Sequence, residues 1–251
     1  MSKIQESLDL STPKGLQDKV FLDVLTFYCN RGRENIRAMK AEDFTIKVDE
    51  SGRRYVQMRD FLTKNNRENV IQEADAGLMF EMPELGERCP VATFEKYVAK
   101  LNPQNPWMWQ RPKDVSKKEL AQDSPWFDNA PLGINTIGNK LKNLSQKAGC
   151  KLTYTNHCLR ATSITTLDAC GYEARDIQSV SGHKSADSLK HYSKTSQTKL
   201  KIMSESLATC LYSDVNKDNN KNQELDDQES TCRPSTVVAW PSQNAPPDPV
   251  P

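Results

Sequence analysis

Residues 157–192 read HCLRATSITTLDACGYEARDIQSVSGHKSADSLKHY and hold all three histidines of the 251-residue chain, His157, His183 and His191. Arg160 follows His157 by three positions, Gly182 directly precedes His183, and Tyr192 lies nine positions beyond His183. These residue types answer the demands of one reaction, attack of a tyrosine on a phosphodiester. A tyrosine hydroxyl, with an ordinary pKa of about 10, is a weak nucleophile unless a base or nearby cations assist it. The phosphorane-like transition state spreads negative charge over non-bridging oxygens, which guanidinium groups stabilise through paired hydrogen bonds. The departing 5′ oxygen needs a proton. Two arginines, imidazoles, a lysine and a tyrosine meet these needs without a metal; His157, Arg160, His183 and Tyr192 are the candidates here, and a further arginine and the lysine are sought upstream.

The same stretch sets its own local structure. Ile164 and Leu167 recur at helical spacing and predict a helix over 160–169 that stops at Gly171. A second helix is expected over 174–180, ending at Gly182, and Ser185 is placed to cap a third that carries Leu189 and Tyr192. His157 then sits at the mouth of a helix with Arg160 one turn inside, where the helix dipole favours an anion. Further on, Leu200, Met203, Leu207 and Leu211 mark an amphipathic helix over 198–211, and Leu200, Met203 and Leu207 are read either as core, the preferred reading, or as an exchange surface. His191 and Cys158 have no chemical role and are read as structural.

Upstream, Ile137, Leu141 and Leu144 predict a helix over 134–148, whereas 102–131, rich in Pro and Trp, reads as loop. Val91, Phe94, Val98 and Leu101 make 87–101 helical. Leu16, Val20, Phe21, Val24, Leu25 and Phe27 give one apolar face to a helix over 15–29, and Ile36 and Met39 form the inner face of a short one. Phe44-Thr45-Ile46-Lys47-Val48 and Arg54-Tyr55-Val56-Gln57-Met58 flank a polar turn at 49–52, with Val70-Ile71 as a third strand. Such alternation predicts a small antiparallel sheet.

An H-x-x-R, a Gly-His whose histidine lies 26 residues after the first, and a Tyr nine residues later resemble the signature of the tyrosine recombinases, the integrase family. In that family a first arginine begins a helix ahead of the small sheet, and a lysine sits on a turn between two of its strands. Arg31-Gly32-Arg33-Glu34 is similar to the first feature. Arg31 with Glu34 reproduces R-x-x-E, but the apolar positions that follow are off by one, so Arg33 stands beside it as a candidate. Phe61-Leu62-Thr63-Lys64-Asn65-Asn66 supplies the lysine, Lys64. The wording GRE, LTKN, HCLR and SGHKS looks closest to the Crypton-type recombinases and to the domesticated C-terminal domain of zinc-finger MYM-type and glutamine-rich proteins. The resemblance covers about 10–211.

The resemblance implies an α+β, mainly α fold, that of the tyrosine recombinase catalytic domain with a small antiparallel sheet, over 1–211. Tyr192 would attack the phosphate to give a 3′-phosphotyrosyl link, with Arg160 and one of Arg31 or Arg33 clamping the non-bridging oxygens. Lys64 would protonate the leaving 5′ oxygen, His157 would assist proton transfer at the tyrosine, and His183 would hydrogen-bond a phosphate oxygen. Rejoining by a new 5′ hydroxyl conserves bond energy, so no cofactor, ATP or metal is implied. The expected partner is double-stranded DNA, with four protomers on DNA or another chain supplying the family's N-terminal helical domain. Only about a dozen residues precede the first predicted helix, so that domain is expected to be absent. Two other readings stay open: a catalytically silent domesticated DNA-binding or chromatin module, and a relaxing activity of the type IB topoisomerase kind.

Bulk properties fit these expectations. A hydrophobic fraction of 36% and a mean hydropathy of −0.73 describe a polar chain. No apolar run approaches the roughly 20 residues that cross a bilayer, and the first ten residues lack a signal-peptide core, so the expected address is intracellular, the nucleus. Seven cysteines at irregular spacing, without a C-x-x-C pair, predict reduced thiols rather than a disulfide framework or a zinc finger. Residues 212–251 carry three basic and seven acidic side chains, a net of −4, which leaves +5 on the rest of a chain of net +1. A basic body permits nucleic-acid binding. The acidic, Pro-rich tail cannot bury enough surface to offset its ordering entropy and is expected to be disordered.

Overall fold

The computed structural model describes residues 2–30, 32, 35–59, 77–114, 124–183, 185–192 and 197–212. Two compact units divide the chain, Met1–Lys194 and Thr195–Pro251. The tail expected over 212–251 lies outside the described residues apart from Tyr212, and so does the strand expected at Val70-Ile71.

In the first unit α1 (Ser2–Glu6) leads into α2 (Pro13–Phe27). Thr12 caps α2 by accepting from the Gly15 amide at 3.1 Å, and Pro13 opens the first turn, where its missing N–H costs nothing. Sequence spacing gives α2 one apolar face, yet it is buried nearly all round, Gln17, Asp18, Lys19 and Asp23 included. The reason is its neighbours: α3 (Pro90–Ala99), α6 (Asn156–Ala169), β3 (Leu78–Phe80) and β4 (Gln110–Pro112) all pack on it. Its polar groups are therefore paired internally. Asp18 meets Lys140 at 2.5 Å, Lys19 pairs with Asp23, and Gln17 donates to the Gln110 carbonyl at 2.7 Å. Around this axis Phe21 packs edge-on against Trp109, and Tyr97 against Phe127.

Ile36–Ala38 forms a single 3₁₀ turn whose Ile36 is fully buried, as is the adjacent Met39. The strands β1 (Phe44–Val48) and β2 (Arg54–Met58) fall where alternation places them, and β3 completes an antiparallel sheet in the order β1-β2-β3. Ile46, Val56 and Met79 stand in register across it. The third strand described is thus 78–80, beyond the polar stretch that contains Lys64.

The region read as loop, 102–131, contains a second antiparallel pair, β4 with β5 (Phe127–Pro131). Pro112 and Pro131 argue against strands, but a two-stranded ribbon is all edge, where a missing N–H is tolerated. Trp109 and Trp126 are buried there. The single helix expected over 134–148 is two pieces, α4 (Ile134–Gly138) and α5 (Lys140–Lys147), broken at Asn139 with φ −99° and ψ 7°. Then come α6 and α7 (Ala174–Ser181), and Ser185 caps a 3₁₀ turn, Ala186–Leu189, rather than a helix reaching Tyr192.

The second unit shows α8 (Gln197–Tyr212). Its apolar residues, read as core in preference to an exchange surface, are exposed: Leu200 by 53%, Met203 by 53% and Leu207 by 61%. Helical spacing identifies an apolar face but not what covers it. Among the described residues no helix is long and apolar enough to cross a membrane.

Candidate active site

The helix α6 begins at Asn156, with Thr155 in extended conformation ahead of it. His157 is therefore in the first turn and exposed, while Arg160, one turn in, is buried, with 5% of its surface exposed. Burying a guanidinium demands acceptors, and two backbone carbonyls provide them. Nη1 donates to the Cys29 carbonyl and Nη2 to the Ser181 carbonyl at 2.7 Å. Nη2 also lies 3.2 Å from both ring nitrogens of His183.

Each acceptor is positioned by a local backbone device. Cys29 follows the end of α2 with φ 46°, a left-handed conformation uncommon outside glycine, which turns the chain toward α6. Ser163 on α6 reinforces the junction by donating to the Thr26 carbonyl at 2.8 Å. The Cys29 thiol is buried, which raises its pKa, against the lowering effect of the Arg160 charge. At the other side α7 ends in Gly182 with φ 65° and ψ 29°, the left-handed stop that glycine provides, and this reverses the chain so that His183 returns to Arg160. The hydroxyl of Ser181 lies 2.7 Å from His183 Nδ1.

Tyr192 follows the 3₁₀ turn, its amide donating to the Leu189 carbonyl at 2.8 Å, and its ring centroid is 6.1 Å from that of His183. Tyr192 packs, with Leu167, against a small apolar cluster of Ile164, Ile177 and Leu189 that is apart from the main core. Arg160, His183 and Tyr192 are thus gathered in one place, and His157 occupies the exposed end of the helix that carries Arg160. His191 is exposed, and Cys158 packs against the edge of the main core.

The remaining candidates, Arg31, Arg33 and Lys64, lie outside the described residues. Gly32, between the two arginines, is described. A Cβ there would fall 2.6 Å from Asn156 Cβ and 2.7 Å from the His157 amide nitrogen, so the backbone at Gly32 lies directly on the start of α6. Asn156 secures the contact. Its buried side chain donates to the carbonyls of Gly32 at 3.0 Å and Ile137 at 2.8 Å, and accepts from the Leu141 amide at 3.0 Å.

Sequence reasoning missed Ser181, Asn156 and the Cys29 carbonyl. Adjacency was the available signal: Asn156 immediately precedes His157, and Ser181 immediately precedes Gly182-His183. The charge pattern also escaped it. Between Asp128 and Asp168 the chain has no Asp or Glu but holds Lys140, Lys142, Lys147, Lys151 and Arg160. Within that span Asn135, Thr136, Asn139, Lys142 and Asn143 line an open polar hollow on α4 and α5. Among the described residues no group of three His, Cys, Asp or Glu could hold a metal ion.

No protein-family model matches the chain. It is 23% identical over 203 residues to the tyrosine recombinase XerD of Listeria innocua, covering 80% of this chain and 58% of XerD. Among solved structures it is similar to the XerA recombinase, with a TM-score of 0.51 at 17% identity, over 82% of this chain and 61% of XerA. It is also similar to the XerH site-specific recombinase bound to a palindromic difH substrate in a post-cleavage complex. That match has a TM-score of 0.51 at 14% identity and covers 81% of this chain and 50% of XerH. The chain spans 58% of the curated relative's length and 50–61% of these two solved chains. The fold, mainly helical with small antiparallel sheets, is that of the tyrosine recombinase catalytic domain.

Proposed function

We propose that this chain cleaves and rejoins DNA strands through a 3′-phosphotyrosyl intermediate at Tyr192, in recombination or integration. The observation that carries the reading is the gathering of Tyr192, His183 and a buried, doubly anchored Arg160 on the fold of the tyrosine recombinase catalytic domain. A guanidinium whose orientation is fixed before substrate arrives stabilises developing charge without reorganising at the moment of reaction.

In the proposed step the Tyr192 oxygen bonds to phosphorus, the bond to the 5′ oxygen breaks, and that oxygen takes a proton from Lys64. The tyrosine proton passes to His157. Arg160, one of Arg31 or Arg33, and His183 hold the non-bridging oxygens. Reversal by another 5′ hydroxyl releases the tyrosine, so the cycle needs no external energy. Gly32 seated on the start of α6 supports a shared phosphate site for both arginines.

Double-stranded DNA is the proposed substrate. The exposed Lys142, Lys147 and Lys151 in the carboxylate-free span support it, because affinity for DNA rests largely on cations meeting phosphates. The exposed amides of Asn135, Asn139 and Asn143 are of the type that pairs with adenine edges in the major groove. The division into a catalytic body over 1–211 and an acidic tail, the Crypton-like affinity, a nuclear address, and assembly as four protomers or with a chain carrying the N-terminal domain complete the proposal.

The test is incubation with nicked suicide duplexes, including a randomised pool, followed by denaturing electrophoresis. A protein–DNA adduct that is lost in Tyr192→Phe is the expected result. DNA binding without an adduct on any substrate would overturn the enzymatic reading in favour of a silent DNA-binding module.

A further inference from the structure

The contacts of His183 are asymmetric in a way that selects between its two neutral forms. Arg160 Nη2 is 3.2 Å from Nδ1 and 3.2 Å from Nε2, so the guanidinium distinguishes neither nitrogen. Ser181 does distinguish them, since its Oγ lies 2.7 Å from Nδ1. A hydroxyl has one proton to give and two lone pairs to offer, so this bond has two possible senses. Burial decides between them. Ser181 is 5% exposed, and Nδ1 of His183 is the sole hydrogen-bond partner of its hydroxyl among the described residues. If Nδ1 carried the ring proton, the Ser181 proton would be buried without an acceptor. If Ser181 donates, every proton in the pair is used, and Arg160 Nη2, equidistant from the two ring nitrogens, opposes neither form.

We infer that Ser181 is a positioning residue that holds neutral His183 as the Nε2–H tautomer, so that the ring presents a hydrogen-bond donor, not an acceptor, to an anion. A buried donor left unpaired biases such an equilibrium by about 5- to 150-fold, which is enough to set one form. The backbone of the same residue also acts, because the Ser181 carbonyl accepts from Arg160. One residue therefore orients the guanidinium through its main chain and assigns the imidazole proton through its side chain. The usefulness of this to phosphate binding rests on the proposed strand-cleavage reading; the tautomer itself does not.

The test separates the two. Protein labelled with ¹⁵N-histidine is examined at pH 8.5, above the ordinary imidazole pKa of about 6.5, with long-range proton–nitrogen correlation and His183→Gln to assign the ring. The expected wild-type signals are a lone-pair nitrogen at Nδ1 and a protonated one at Nε2. In Ser181→Ala the two nitrogens should move toward a common averaged shift, and Ser181→Thr should restore the wild-type pattern. A wild-type ring protonated at Nδ1, or a pattern unchanged in Ser181→Ala, overturns the inference. A parallel adduct assay on the same proteins should show Ser181→Ala slower by about 5-fold or more and Ser181→Thr near wild type. Absence of any wild-type adduct would count against the cleavage reading while leaving the tautomer result to stand on the spectra.

Discussion

The guanidinium of Arg160 is bound to the carbonyl of Cys29, a residue 131 positions earlier that leaves α2 in a left-handed conformation. The bond joins the segment leading toward Gly32 to the helix of His157 and Arg160, and Nη2 adds contacts to the Ser181 carbonyl and the His183 ring. A lysine carries one point charge and cannot reproduce that geometry. Arg160→Lys is expected to lower stability by about 1.5–3 kcal/mol, the worth of a charged hydrogen bond, in urea unfolding. Adduct formation should fall by at least about 100-fold.

Gly32 has no space for a side chain. Gly32→Ala would drive a methyl into the backbone of Asn156 and His157, which cannot yield as a flexible side chain would. Overpacking of this kind costs about 1–3 kcal/mol. The backbone at Gly32 has to lift from α6, so cleavage should drop by more than the loss of folded protein explains, with circular dichroism giving the folded fraction and the adduct assay the activity.

The cluster of Ile164, Ile177 and Leu189 beneath Tyr192 is small and separate from the main core. Leu189→Ala is expected at the low end of the usual cost of such truncations, about 2 kcal/mol, because a small cluster collapses readily. Its effect should be local. Hydrogen exchange should quicken at the Tyr192 amide, which is bonded to the Leu189 carbonyl, more than at amides of α2.

Burial pushes the carboxyl of Asp23 up to about 6 from 3.8, although Lys19 pulls it down by its charge and hydrogen bond. The folded state then binds this proton more tightly than the unfolded state, so the contribution of Asp23 to stability is full below about pH 4 and is lost as pH rises through about 6. Lys19→Met with Asp23→Leu should remove that slope between pH 4 and 7 and leave stability at pH 7 equal or higher by about 1–4 kcal/mol. Asp23→Leu alone, which strands a buried Lys19, should cost about 3–5 kcal/mol. Thermal unfolding across pH reads both.

Much of this was legible in residues 157–192. The helix of Arg160, the stop at Gly182 and the first two strands follow from periodicity and glycine placement, which act locally. What periodicity could not give was anything decided by a distant partner. The ribbon of β4 and β5 is concealed by its prolines and specified by packing against α2. The burial of Asp18 and Asp23 depends on helices brought in from far along the chain. Ser181 and Asn156 are ordinary polar residues in sequence and become site residues only when Arg160 and Gly32 arrive beside them.

The side chain of Asn156 bonds Gly32, Ile137 and Leu141, and so closes separations of up to 124 residues at one amide. Contacts of such range form only after the entropy of closing long loops has been overcome, and they slow folding. A chain released from a denaturant should therefore regain helical signal well before it regains a competent site. The seating of Asn156, which brings Gly32 onto the start of α6, is therefore expected among the late events of folding.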